Sequence, residues 1–207
     1  MLQRVSFPVA GTEIEAILHL PEDATLGGVA VLGGRRHTID SGTALCTAIA
    51  AAGVAAIRFA HRNDDALDRL ADTAAAIRLL RAHPSIPQRI GVVGHSYGGA
   101  IAALAAGRDS RIQSAVLIVP PADRPFFGSI KPLAEGSRTR AKVLVVTASA
   151  DEEVAPADGE RYATVMRQAG VVCRLVRIEG ADHLFTATPH RDALNSAVTD
   201  WLRDTLS

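Results

Sequence analysis

An α/β domain with a mostly parallel central sheet is the fold class predicted by this 207-residue sequence, on three observations. Short β-branched runs alternate with helix-length segments almost throughout. Most of those runs are apolar on consecutive residues, as strands covered on both faces of a parallel sheet are. The start differs: two segments meet at Gly11 and read as a hairpin. In chain order, Gln3 to Val9 and Glu13 to Leu20 form that hairpin. Gly28 to Leu32, Val54 to Phe59, Arg89 to Val93, Ser114 to Val119, Val143 to Thr147 and Val171 to Ile178 follow as further strands, with helices between them on both faces of the sheet. Leu67, Leu70, Ala71, Ala74, Ile77 and Leu80 recur at helical spacing, which turns this stripe inward and leaves Asp68, Arg69, Asp72, Arg78 and Arg81 mostly outside it. The last helix opens with Thr188 as cap and Pro189 in its first position, and buries Leu194, Ala197, Val198, Trp201 and Leu202. The lone Trp201 reads as a core anchor for that helix rather than a ligand platform. Pro120 to Arg140 is the longest irregular segment, too short for a second domain but long enough for a short helix and part of a pocket wall. Residues 1–207 therefore read as one domain with no large cap.

Composition narrows the function classes. A chain that is 48% hydrophobic can bury one sizeable core. Its 22 basic and 22 acidic residues cancel, which argues against nucleic acid as a partner. No apolar stretch is long enough to span a bilayer, and Arg4, Glu13 and Glu15 interrupt the start where a signal peptide would be apolar, so the expected location is cytoplasmic. Cys46 and Cys173 lie far apart in regular elements and are expected to be buried free thiols.

The segment Gly94-His95-Ser96-Tyr97-Gly98-Gly99 carries the chemistry. It lies between the strand-like Ile90 to Val93 and the helix-like Ala100 to Ala106. A strand turning sharply into a helix at a serine exposes the hydroxyl at a strained backbone angle, and flanking glycines avoid collisions with neighbouring strand and helix. Such a hydroxyl is a poor nucleophile unless a base removes its proton and an acid orients the base. In an open parallel sheet such groups gather at the carboxyl ends of strands. Asp151 follows the strand ending at Thr147, and His183 follows the strand ending at Ile178. Glu152, Glu153 and Asp182 are nearby competitors for the acid, and Asp123, after an earlier strand, is the stronger rival. His95 is expected to pack beside the turn.

The order Ser96, Asp151, His183 on a hairpin-led parallel sheet resembles the α/β-hydrolase family, in the manner of its small, cap-less, dienelactone-hydrolase-like or esterase-like members. The resemblance covers the chain from about residue 5 onward and implies a Ser-His-Asp triad. It also implies an oxyanion hole built from the Tyr97 backbone N–H and one amide of Gly33-Gly34-Arg35. The family usually has His-Gly at this loop, whereas Gly33 occupies the histidine position here. Arg35 N–H is therefore the first choice and Gly34 the alternative. The implied reaction is cleavage of a small-molecule carboxylic ester or thioester through an acyl-serine, with no metal and no organic cofactor. Gly34, Arg36, His37, His61 and Arg62 are the candidate substrate-binding residues, and Arg35, Arg36, His37, His61 and Arg62 are read as a cationic rim for an anionic substrate. The opposing expectation is that these arginines pair with Asp64, Asp65 or Asp40 and only stabilise loops. Acyl transfer or perhydrolysis on the same serine, a non-catalytic binding module, and a homo-oligomer whose partner chain completes the pocket are the alternatives compatible with the sequence.

Overall fold

A computed structural model describes residues 1–207 except Arg36 and Asp123. Eight strands form one sheet: β1 (Leu2–Val9), β2 (Thr12–His19), β3 (Gly27–Leu32), β4 (Val54–Phe59), β5 (Ile90–His95), β6 (Ile112–Ile118), β7 (Lys142–Ala148) and β8 (Cys173–Ile178). Their order across the sheet is β1-β2-β4-β3-β5-β6-β7-β8. The β1–β2 hairpin and the β2–β4 pair are antiparallel, and all later pairs are parallel. Helices α1 (Thr43–Ala51) and α6 (Thr188–Leu206) cover one face, where Cys46, Ile49, Val198 and Leu202 pack on Val29, Val93 and Val116. Helices α2 (Ala66–Ala82), α3 (Tyr97–Arg108) and α5 (Pro156–Gln168) cover the other, where Ile77, Ile101 and Tyr162 meet Ala30, Val92 and Val145. Among the described residues of 120–140 are a 3₁₀ turn, Pro125–Phe127, and the short helix α4 (Pro132–Gly136). Among the described residues, no helix is long and apolar enough to cross a membrane.

Three details depart from the periodicity of the sequence. Helix α2 is rotated from its expected phase: Leu67 is 54% exposed and Ala71 and Ala74 face outward, while Arg69 and Asp72 are buried with Ala66, Thr73, Ile77 and Leu80. The reason is polar. Asp72 Oδ1 accepts from Arg62 Nε at 2.6 Å, and Arg69 donates to backbone carbonyls at the end of the sheet. These bonds are satisfied only if both side chains point inward. Helix α6 is capped by the backbone of Ala187 with no side-chain cap, so Thr188 is its first residue; Ala197 and Trp201 are half-buried at the margin of its core stripe. Cys46 is buried, but Cys173 is half-exposed because β8 is the edge strand.

Candidate active site

The turn between β5 and α3 puts Ser96 at φ 56° and ψ −124°, a conformation whose cost is of order 1–3 kcal/mol for a non-glycine residue. Backbone bonds hold it there. Ser96 N donates to Ile118 O of β6 at 2.8 Å, and Ser96 O accepts from Gly99 N at 2.8 Å. A Cβ at position 94 would lie 2.0 Å from Gly98 O, and one at 98 would lie 2.3 Å from Leu32 O, so both positions require glycine. Tyr97 N–H is the first amide of α3, a position that helix geometry leaves without an intrahelical acceptor.

Asp151 and His183 leave the ends of β7 and β8 and meet in space. His183 Nδ1 lies 2.7 Å from Asp151 Oδ2, with both side chains nearly inaccessible. An ionised carboxylate only accepts, so Nδ1 carries the proton and Nε2 is left as the basic nitrogen. Asp151 Oδ1 also accepts from Glu153 N at 2.9 Å and Val154 N at 2.8 Å, which fixes the carboxylate plane. Asp182 is engaged instead with the amide and hydroxyl of Thr186, contacts that hold its carboxyl below the usual range. Glu153 approaches the other ring nitrogen, with Oε2 3.9 Å from His183 Nε2. The rival Asp123 lies outside the described residues.

His95 packs edge-on against His183 at 5.0 Å between ring centres, and its Nε2 lies 2.8 Å from the His183 carbonyl oxygen. Burial pushes the His95 pKa down to about 4, so the neutral ring donates this bond and holds the backbone of His183. Ser96 and His183 line one cavity of about 850 Å³. No hydrogen bond joins Ser96 Oγ to His183 Nε2, a looseness common before substrate binds.

Gly33, Gly34 and Arg35 line the same cavity, and a Cβ at Gly34 would stand 3.4 Å from Ser96 Cβ and 3.8 Å from its Oγ. The five substrate-binding candidates are not gathered together. Gly34 and His37 line the cavity, and Arg36 lies outside the described residues. His61 is buried, with Nδ1 3.3 Å from Asp72 Oδ2. Arg62 pairs with Asp72 and Asp68. Neither His61 nor Arg62 reaches the cavity, because Asp72 draws both toward α2. Arg35 does face it, paired with Asp64 at 3.2 Å and lying over the Phe126 ring at 5.3 Å.

Several cavity residues escaped the sequence reading: Leu45 of α1, Phe126 of the 3₁₀ turn, and Arg191 with Asn195 of α6. The only available signal was position, since each lies in a segment following the carboxyl end of a strand. Among the described residues, no group of three or more His, Cys, Asp or Glu side chains is placed to hold a metal ion.

Comparison with known proteins agrees with this architecture. Est1E from Butyrivibrio proteoclasticus superposes with a TM-score of 0.86 at 17% identity, over 98% of each chain. A dienelactone hydrolase from Anabaena variabilis superposes at 0.83 with 22% identity, over 100% of this chain and 99% of the other. The esterase domain of a Rhodothermus marinus protein superposes at 0.82 with 19% identity, over 100% of both. At these identities the likeness establishes the fold, which is that of the α/β-hydrolases. No curated protein sequence matches the chain. The family model for dienelactone hydrolases matches residues 49–207, a span that takes in Ser96, Asp151 and His183, and the chain therefore belongs to the dienelactone hydrolase family.

Proposed function

We propose that the protein is a serine hydrolase that cleaves a carboxylic ester or thioester through an acyl-Ser96 intermediate, with residues 1–207 acting as one catalytic domain. The observation that carries this reading is the strained Ser96 elbow opening into the same cavity as the buried His183–Asp151 pair. His183 Nε2 takes the Ser96 proton as Oγ attacks the substrate carbonyl. The tetrahedral oxyanion forms beside the Tyr97 amide and an amide of the Gly34-Arg35 segment. His183 then gives its proton to the leaving alkoxide or thiolate. Water, deprotonated by the same nitrogen, attacks the acyl-enzyme, and Ser96 departs with that proton restored. Asp151 holds the ring tautomer and stabilises the transient imidazolium.

The acyl group is bounded by the cavity walls. Val31, Leu45, Val93, Ile118 and Leu194 supply an apolar side, and Phe126 stands on the wall formed by residues 120–140. A volume of about 850 Å³ suits a small-molecule ester. The test is a series of p-nitrophenyl esters and acyl thioesters of graded chain length, run beside Ser96→Ala. Wild-type turnover should fall by several powers of ten in the variant, and a fluorophosphonate should label wild-type protein at Ser96 alone. Turnover that survives Ser96→Ala, or a wild type that neither turns over nor labels, refutes the reading.

A further inference from the structure

Arg69 has no part in that chemistry, yet it is a buried cation 3% exposed, on the face of α2 that meets the catalytic end of the sheet. Its Nη1 donates to Gly33 O at 3.0 Å and to Gly34 O at 3.2 Å, and its Nη2 donates to Gly34 O at 3.2 Å. Nη2 also meets Asp64 Oδ1, and Nε donates to Asn63 O at 3.1 Å. The guanidinium lies over the Tyr97 ring at 4.7 Å, and Tyr97 Oη donates to Asp64 O at 2.8 Å. One side chain thus grips the loop after β3, the loop before α2 and the residue after Ser96.

The two gripped carbonyls are not arbitrary. Gly33 C=O shares a peptide plane with Gly34 N–H, and Gly34 C=O shares one with Arg35 N–H. In a trans peptide the carbonyl and the amide point in opposite directions, and no cis bond occurs among the described residues. With both carbonyls turned toward Arg69, both amides are turned away from it, in a segment that lines the cavity beside Ser96. Without Arg69 either peptide of this glycine pair is free to flip, since glycine permits both backbone senses. A cation on the carbonyl also polarises the amide of the same plane, strengthening it as a donor.

We infer that Arg69 is the positioning residue of the oxyanion hole: it locks the Gly34 and Arg35 amides in donor orientation and ties them to Tyr97. The inference rests on the serine-hydrolase reading above, but not on which of the two amides donates. Arg69 touches no reacting atom. Its effect appears where negative charge develops and not where substrate first binds.

Arg69→Gln and Arg69→Lys are compared with wild type on one p-nitrophenyl ester, with far-UV circular dichroism reporting the fold and endpoint fluorophosphonate labelling counting reactive Ser96. In Arg69→Gln, kcat per reactive molecule should fall about 10²–10³-fold while KM stays within about threefold. Arg69→Lys should recover only part, because an ammonium is a point charge and does not fork across two carbonyls. A boronic acid that forms a tetrahedral adduct on Ser96 should lose affinity in the same variants, and the carboxylate product should not. Unchanged kcat, a loss carried by KM, or a loss equal to the unfolded fraction overturns the assignment. If Arg69→Gln does not fold, Arg69→Lys decides alone: full kcat and full boronate affinity overturn it. A wild type without turnover or labelling overturns the serine-hydrolase reading and this inference together. An active wild type with an indifferent Arg69 variant overturns this inference only.

Discussion

Mild acid should destabilise this protein in a pH window set by histidines rather than carboxylates. His19, His37 and His95 each have their pKa lowered from 6.5 to about 4, in every case chiefly by burial. His19 is the clearest, since it is 2% exposed and its Nε2 accepts from Arg58 Nε at 2.9 Å, a bond that protonation abolishes. The unfolded chain binds protons on these rings near pH 6.5, whereas the folded chain resists until about pH 4. Between those values the unfolded state holds more protons, so stability falls as pH falls. The contribution is fully present above 6.5 and is lost progressively on the way down to about 4. At about pH 5 one such group costs about 2 kcal/mol, from 1.36 kcal/mol for each pH unit below the unfolded pKa. These three groups alone cost up to about 6 kcal/mol, a large share of the roughly 5–15 kcal/mol that holds a domain folded, and His61, whose pKa burial also lowers, acts on the same side. His37 and His95 are only half-buried, and local opening lets them protonate without global unfolding, so the share of these three groups in the measured loss should fall below that figure. Urea denaturation followed by circular dichroism at about pH 7.5 and 5 measures the difference. His19→Gln keeps a hydrogen-bond acceptor but cannot titrate, and should remove about 2 kcal/mol of the difference. Equal stability at the two pH values, or an unaltered difference in His19→Gln, refutes the reasoning.

Asp151→Asn should lower kcat by about four orders of magnitude near neutral pH with little change in KM, because the amide no longer holds the productive tautomer of His183; steady-state kinetics checks it. Gly98→Ala puts a methyl 2.3 Å from Leu32 O and 2.6 Å from Gly33 O, so β3 and the loop that follows it must shift. A drop in kcat of about 10²-fold or more is expected from misplaced donors, and wild-type activity in a folded variant counts against the elbow geometry. Asp72→Ala leaves Arg62 and the buried His61 without their shared carboxylate and should cost about 3–5 kcal/mol in urea titrations, since breaking one partner strands the others. Matched neutral and carboxylate-bearing esters should differ by no more than about fivefold in kcat/KM, because Arg35 is already paired with Asp64 and exposed pairs contribute at most about 1 kcal/mol. A larger preference for the anionic ester would assign Arg191 or Arg36 to substrate binding.

What was legible in the sequence is what short-range sterics encode. Gly94 and Gly98 announce the elbow because the collisions they avoid lie within the elbow or at the adjacent end of β3. Asp151 and His183 are legible because a parallel sheet delivers every strand end to one edge, so chain order alone narrows the search. The polar supports of the site are hidden for the opposite reason. Arg69 bonds to Gly33 and Gly34, more than thirty residues away, and Arg58 to His19 and to the carbonyl of Ile39. A carbonyl has no side-chain signature, so the partner of such an arginine cannot be read from residue types. The phase of α2 shows the consequence. Leu67, Leu70, Ala74 and Ile77 make one helical stripe, while Ala66, Thr73, Ile77 and Leu80 make another about one residue around the helix. Burying Leu67 would favour the first by about 2 kcal/mol. Arg69 and Asp72 lie on the second face, and together they hold Gly33, Gly34, Asn63 and Arg62. The structure leaves Leu67 in solvent and takes those bonds, because each is charge-assisted and largely shielded from water. An alanine-rich helix with few large apolar residues is where such a rotation costs least, since either face offers the core nearly the same surface. Charged residues three apart on a weakly apolar face of a helix at the catalytic end are therefore the signal to read as buried loop anchors.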